Sequence, residues 1–90
     1  MGSTGRHIGV TYSRHARQQM VSRLVADAQD ERTIANPTRQ YPSADPPGRV
    51  VAERLTAAGN TLRVVYAEVA TATGMVAHVV TVIRIGGRRR

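Results

Sequence analysis

Cysteine, lysine, phenylalanine and tryptophan are all missing from this 90-residue chain. The lack of cysteine excludes a disulfide framework and thiolate chemistry. Without Phe or Trp, the core has to be built from Val, Ile, Leu, Ala and Met, and a hydrophobic fraction of 41% is enough for a small one. No apolar run approaches membrane-spanning length, and no signal-peptide pattern is present. The composition predicts one domain over residues 7–86, with short flexible tails at 1–6 and 87–90.

Positive charge is carried by arginine alone. The chain has 13 Arg, a net charge of +7 and a pI of about 11.5. Arginine presents a planar fork that can bind phosphate through two parallel hydrogen bonds. A small basic domain therefore indicates an anionic partner, most often nucleic acid, although an acidic protein would be attracted by the same field. Arginine-only usage is also what a GC-rich genome produces.

An amphipathic helix is predicted to follow a short strand at Ile8–Tyr12. Ser13 is a suitable N-cap, and the helix is expected to run to about Val25. A polar stripe lies beside its apolar face, because residues three or four apart share one side of a helix. This stripe either lines a cleft between helix and sheet or is a solvated flank. Its members are His15, Gln19, Ser22 and Arg23.

A second, polar helix is predicted from about Ala28 to Ala35, on the surface of the domain. Asp27 is a candidate N-cap, and Asp30 occupies roughly the place of the acid in a capping box. The two helices could instead form one bent helix. Asn36, which precedes a proline, should end the helix because that position disfavours helical backbone.

All four prolines fall between Pro37 and Pro47, so the segment Thr38–Gly48 is predicted to be an irregular loop. Tyr41 lies between Arg39 and Arg49 in sequence. An aromatic ring among arginines can stack on a base while the cations bind phosphates. The alternative is that Tyr41 packs the loop onto the sheet.

The remaining chain has the period of β-structure. Strands are predicted at Arg49–Thr56, Thr61–Val69 and Val76–Ile85, joined by short turns into an antiparallel meander. The last strand is apolar on both faces, which is typical of a central strand covered on both sides. The expected fold is α+β, with N-terminal helices packed on a three- to four-stranded antiparallel sheet, to which Ile8–Tyr12 could add at an edge.

Alternation along the last strand places His78 and Thr81 on opposite faces unless a β-bulge intervenes. Only one of these two residues would then share a cleft with His15.

The order and spacing of these segments resemble a known family of small domains. The matching motifs are Tyr12-Ser13-x-His15-Ala16-x-x-Gln19-Met20-x-x-Arg23, Asn36-Pro37, Gly59-Asn60-Thr61-Leu62-Arg63-Val64-Val65-Tyr66 and Val79-Val80-Thr81-Val82-Ile83. Together they resemble the DUF4258 family, within the wider RelE-like, barnase/EndoU/colicin-type (BECR) group of nuclease toxins. Many members have Arg where this chain has Gln19.

The resemblance implies a metal-independent ribonuclease toxin with no cofactor, inhibited by an acidic immunity or antitoxin protein. Such domains often cut tRNA, and mRNA is the other candidate substrate. They act in the cytoplasm of the target cell, in some cases after delivery as the C-terminal domain of a secreted effector. The family's active positions correspond to His15, Arg23 and Thr81.

Metal-free RNA cleavage needs a base for the 2′-hydroxyl, a cation on the phosphorane and an acid for the leaving oxygen. His15 has a pKa suited to acid or base duty, Thr81 could bind a phosphoryl oxygen, and Tyr66 is a reserve proton-transfer group. Substrate contacts are expected from Arg49, Arg54, Gln19 and Tyr41. The His, Asp and Glu residues do not have the spacing of metal ligands, so no metal site is predicted. A non-catalytic basic module that binds nucleic acid or protein, or a RelE-like toxin with a non-nuclease target, remains the alternative.

Overall fold

The computed structural model describes residues 7–44 and 48–86, so both expected tails and the segment 45–47 lie outside it. Two helices pack on one five-stranded sheet of order β1-β5-β4-β3-β2. Strand β1 is parallel to β5, and the other neighbours are antiparallel. The α+β fold is confirmed, but the sheet is mixed and five-stranded. In chain order the elements are β1 (Gly9–Tyr12), α1 (Arg14–Arg23), α2 (Asp27–Ala35), β2 (Arg39–Pro42), β3 (Arg49–Leu55), β4 (Thr61–Thr71) and β5 (Gly74–Ile85).

Helix α1 begins where the sequence predicts. The Ser13 hydroxyl accepts a hydrogen bond from the backbone N–H of Ala16 at 3.0 Å, which satisfies one of the free amides of the first turn. The helix ends at Leu24, whose φ of 57° is left-handed. The next N–H, that of Val25, turns back to the Met20 carbonyl at 2.8 Å. Val25 is therefore not helical, and its side chain enters the core.

Helix α2 is a separate helix, and its start and its exposure differ from the prediction. Its N-cap is Ala26, whose N–H donates to the Gln29 side chain at 2.8 Å. The predicted capping roles of Asp27 and Asp30 are wrong, because Gln29 supplies the side-chain contact. Nor is the helix superficial, since α2 packs on β3 and β4. Three of its side chains are buried, namely Asp30, Thr33 and Ile34.

The predicted irregular loop contains a strand. Residues Arg39–Pro42 pair with β3 and form the outer edge of the sheet. A proline can stand there because an edge strand has one side on which no ladder hydrogen bond is required. Tyr41 is thereby fixed in a strand, opposite Val51.

Both helices lie on the same face of the sheet, where the core forms. The opposite face, here called the open face, is covered by no helix or strand among the described residues. Strand β5 is therefore interior but covered on one face only, so the prediction of cover on both faces is wrong.

No helix in the described ranges has the length and apolarity to cross a membrane. The core side chains include Ala16, Met20, Ile34, Ala52, Leu62, Val64, Tyr66, Val79 and Val82.

A β-bulge in β5 decides which residues share a face. Val65 pairs with Thr81, whereas the next residue, Tyr66, pairs with Val79. Val80 is left without a partner in this ladder, and the alternation reverses across it. His78 and Thr81 therefore both project from the open face.

Candidate nucleic-acid interface

The open face gathers cations, one tyrosine and one imidazole. The strand register aligns these side chains in adjacent rows. The first row runs Thr11, His78, Ala67, Arg49; the second Thr81, Val65, Val51, Tyr41; the third Ile83, Arg63, Glu53, Arg39. Three arginines face a single carboxylate among the described strand residues of this face, so the surface is positive.

That carboxylate, Glu53, is already engaged. It is 6% exposed and accepts hydrogen bonds from the Tyr41 hydroxyl at 2.7 Å and from Arg63 Nε at 2.7 Å. Arg39 adds an ion pair at 3.7 Å. The bond from Tyr41, followed by Arg63, lowers the pKa of Glu53, while the same bond raises the pKa of Tyr41. Glu53 thus orders the cations around it without neutralising all of them.

Tyr41 presents its ring on the open face, where its hydroxyl is held by Glu53. The Arg39 guanidinium lies 5.3 Å from the centre of its ring, which is within cation–π range. Arg49, the other expected neighbour, is in the adjacent row on β3. The structure therefore brings these three predicted residues onto one surface, as the stacking hypothesis requires.

His78 is a candidate site residue that the sequence analysis left out of the site, because regular alternation placed it on the face opposite Thr81. Its Nδ1 lies 2.8 Å from the Thr11 hydroxyl on the neighbouring strand β1. This contact holds one ring nitrogen, and no hydrogen bond to the other nitrogen is present among the described residues. A half-buried imidazole with one nitrogen anchored is a suitable proton-transfer group. The bulge that brings His78 beside Thr81 left no signal in the sequence pattern.

The polar stripe belongs to α1, which packs on the side of the sheet opposite the open face. Gln19 Oε1 accepts the Val82 N–H at 2.8 Å, beyond the point where β1 stops pairing with β5. Gln19 therefore satisfies a strand edge and has a structural partner. His15 is exposed one turn earlier on the same side of α1, and Arg23 is half-buried in the last turn.

His15 and Thr81 do not form the expected cleft. Thr81 projects from the open face, away from the face on which α1 packs. No hydrogen bond joins the two residues in the described structure. The His15 imidazole therefore does not face the Thr81 hydroxyl.

Tyr66 is not accessible for catalysis. It is 0% exposed, and its hydroxyl accepts a hydrogen bond from Gln40 at 3.0 Å. The His7 ring packs edge-on against it with centroids 5.5 Å apart. Tyr66 is a core residue, and its burial raises the pKa of its hydroxyl.

Arg54 and Arg49, the two candidate phosphate ligands, lie on different faces of the sheet. Arg49 is on the open face, opposite Ala67. Arg54 is on the helix side, where it donates to the Asn36 carbonyl at 2.8 Å. They cannot bind one phosphate together.

Asp30 is an unusual acid outside the open face. It is 0% exposed, and neither carboxylate oxygen has a hydrogen-bond partner among the described residues. Burial, followed by the negative charge of Asp27, raises its pKa to about 7. Asp30 is therefore a buried acid that takes no part in the open face.

No group of three or more potential metal-ligating side chains occurs within residues 7–44 and 48–86. No family model, curated protein or solved structure matches this chain. The resemblance to the DUF4258 family, with the activity it implies, stays a prediction. The case for function rests on the residues of the open face.

Proposed function

We propose that this domain is a metal-independent ribonuclease toxin that binds RNA, with tRNA favoured by the family resemblance, on the open face of its sheet. The observation that carries the proposal is the alignment of Tyr41, His78 and three arginines on one uncovered surface. Sheets that expose an aromatic ring among cations suit single-stranded RNA, because bases stack while phosphates are bound.

The geometry favours His78 over His15 as the proton-transfer group on this face. Arg49 lies two strands away in the same row, a backbone separation of roughly 10 Å. A phosphate could therefore lie between the imidazole and the guanidinium, within reach of both. Thr81, near His78 on β5, could donate to a phosphoryl oxygen. His15 and Arg23, both in α1, remain the second candidate pair.

A non-catalytic RNA-binding module is the second candidate function, and one observation favours it. Among the described residues of the open face, His78 is the single imidazole. Transesterification uses both a base and an acid. A surface with one such group can bind RNA without completing the reaction.

An acidic immunity or antitoxin protein would cover the same surface and inhibit the toxin in the cytoplasm of the target cell. The support is charge: a partner rich in carboxylates complements Arg39, Arg49 and Arg63 and excludes RNA from them. Delivery as the C-terminal domain of a secreted effector belongs to the same proposal.

The test is incubation of the purified domain with tRNA in EDTA, followed by gel analysis and mapping of RNA ends. His78→Ala and His15→Ala form a matched pair that distinguishes the two imidazoles. We expect His78→Ala to reduce cleavage by at least about a hundredfold, the usual range for a lost proton-transfer group, and to retain RNA binding. Arg14→Gln, an exposed change on α1, is the charge control. Binding without cleavage by the unmutated domain would favour the second candidate, and full activity of His78→Ala would refute this site.

A further inference from the structure

A second cluster of arginines lies on the helix side of the sheet, away from the open face. It surrounds a cleft of about 460 Å³ between α2 and the turn that joins β3 to β4. This volume is within the range of small-molecule sites. Arg32, Arg54 and Arg84 line the cleft, and no carboxylate residue is among its described lining residues.

The register explains how two of these arginines are placed. Arg54, Leu62 and Arg84 form one row across β3, β4 and β5, so an apolar side chain separates two guanidinium groups. Leu62 is 2% exposed and belongs to the core. The cleft thus combines an apolar floor with a cation on each side.

Both guanidinium groups are anchored. Arg54 donates to the Asn36 carbonyl at 2.8 Å and Arg84 to the Leu24 carbonyl at 3.0 Å, each at the end of a helix. A guanidinium has five N–H donors, so the remaining ones can bind a ligand. Anchored cations lose less conformational entropy on binding than free ones.

We propose that this cleft binds a small organic phosphate of about mononucleotide size. The phosphate is bound by Arg32 of α2 together with one of the two anchored arginines, Arg54 or Arg84, all of which line the cleft. The organic part packs against the apolar lining, which includes Leu55 and Leu62. An inorganic anion would leave most of the cleft volume and its apolar wall unused. This site is independent of the proposed RNA surface, which lies on the other face.

The experiment is titration calorimetry of the full chain with adenosine 5′-monophosphate, inorganic phosphate and adenosine as separate probes. We expect saturable binding of the nucleotide, at least about tenfold tighter than that of either fragment. Arg32→Gln should weaken nucleotide binding by about tenfold, the range for one charge-assisted hydrogen bond. Arg32 makes no side-chain hydrogen bond or ion pair in the described structure, so this change leaves the helix-end contacts intact. Thermal melting verifies the fold of each variant.

Two controls separate this site from general charge effects and from the RNA surface. Arg14→Gln removes one exposed positive charge that is not part of the cleft lining, and it should leave nucleotide affinity unchanged. Arg49→Gln removes a cation from the open face, and it too should leave this affinity unchanged. The proposal is overturned by a lack of saturable nucleotide binding, by inorganic phosphate binding equally tightly, or by an equal loss of affinity in either control. If the domain does not cleave RNA, the proposed function fails, but the nucleotide-binding results still test this cleft.

Discussion

Replacing Asp30 by asparagine should change how the stability of the domain depends on pH. Asp30 is fully buried and its two oxygens lack partners in the described structure. Its pKa is raised from 3.8 to about 7 by burial and then by Asp27. Asparagine has nearly the same shape and stays neutral at every pH, so the change removes the titration and leaves the packing.

The sign follows from proton linkage. Below about pH 4 the carboxyl is protonated in both the folded and the unfolded chain, and its titration costs nothing. Between about pH 4 and pH 7 the unfolded chain releases the proton while the folded chain retains it, so the free energy of unfolding falls as pH rises. Above about pH 7 both states are ionised and the loss is complete.

The magnitude follows from the same difference. One pKa unit corresponds to about 1.4 kcal/mol, so a rise from 3.8 to about 7 corresponds to roughly 4 kcal/mol. Because buried sites relax and admit water, we expect about 2 to 4 kcal/mol. A domain of this size is stable by only about 5 to 13 kcal/mol, so the effect is large enough to measure.

The assay is urea unfolding of the parent and of Asp30→Asn at several pH values from 4 to 8. Comparing the two proteins at each pH cancels the titration of other groups. The variant should be more stable by about 2 to 4 kcal/mol at pH 8 and about equal to the parent at pH 4. Glu31→Gln, on the exposed neighbour, is the matched control and should show little pH-dependent difference. A difference between parent and Asp30→Asn that stays constant with pH would refute the reasoning.

Three further outcomes are expected. Tyr66→Phe should retain the activity of the parent in the RNA assay. It should lose about 1 kcal/mol of unfolding free energy, because only the hydrogen bond from Gln40 is removed. A folded variant that is inactive would contradict the placement of Tyr66 in the core. Leu24→Gly should stabilise the domain by about 1 kcal/mol in urea unfolding, since Leu24 is 81% exposed and left-handed; a destabilised variant would refute this. Glu53→Gln should tighten RNA binding and steepen its salt dependence, measured by filter binding, because Arg63 loses its counter-charge; weaker binding by a folded variant would contradict the assignment of the open face.

Local chemistry is what the sequence allowed us to predict. Features that depend on neighbours a few residues away were predicted with boundaries within a few residues of the observed ones. They are the Ser13 cap, the end of α2 at Asn36 and strands β3 to β5. Strand β2 was missed because prolines are typical of loops, and only pairing with β3 shows that Pro42 stands at an edge. The burial of Asp30 could not be predicted either, since it depends on how α2 packs on distant strands.

The candidate site depended on a single non-local feature. Regular alternation along β5 would put Thr81 with Ala77 and Val79, on the side of the helices. The bulge at Val80 reverses this, because Thr81 pairs with Val65 while Val79 pairs with Tyr66. Residue types alone could identify His78 and Thr81 as candidates, but only the register of β4 against β5 could place them on one surface.

The sheet divides the arginines into two sets with different chemical settings. Arg39 and Arg63 surround a buried carboxylate on a broad, uncovered surface, which suits an extended polyanion. Arg54 and Arg84 flank an apolar side chain in a cleft whose described lining includes no carboxylate, which suits a small anion with an organic part. The two sets therefore face solvent on opposite sides of the sheet, and net charge alone could not distinguish an RNA surface from a phosphate cleft.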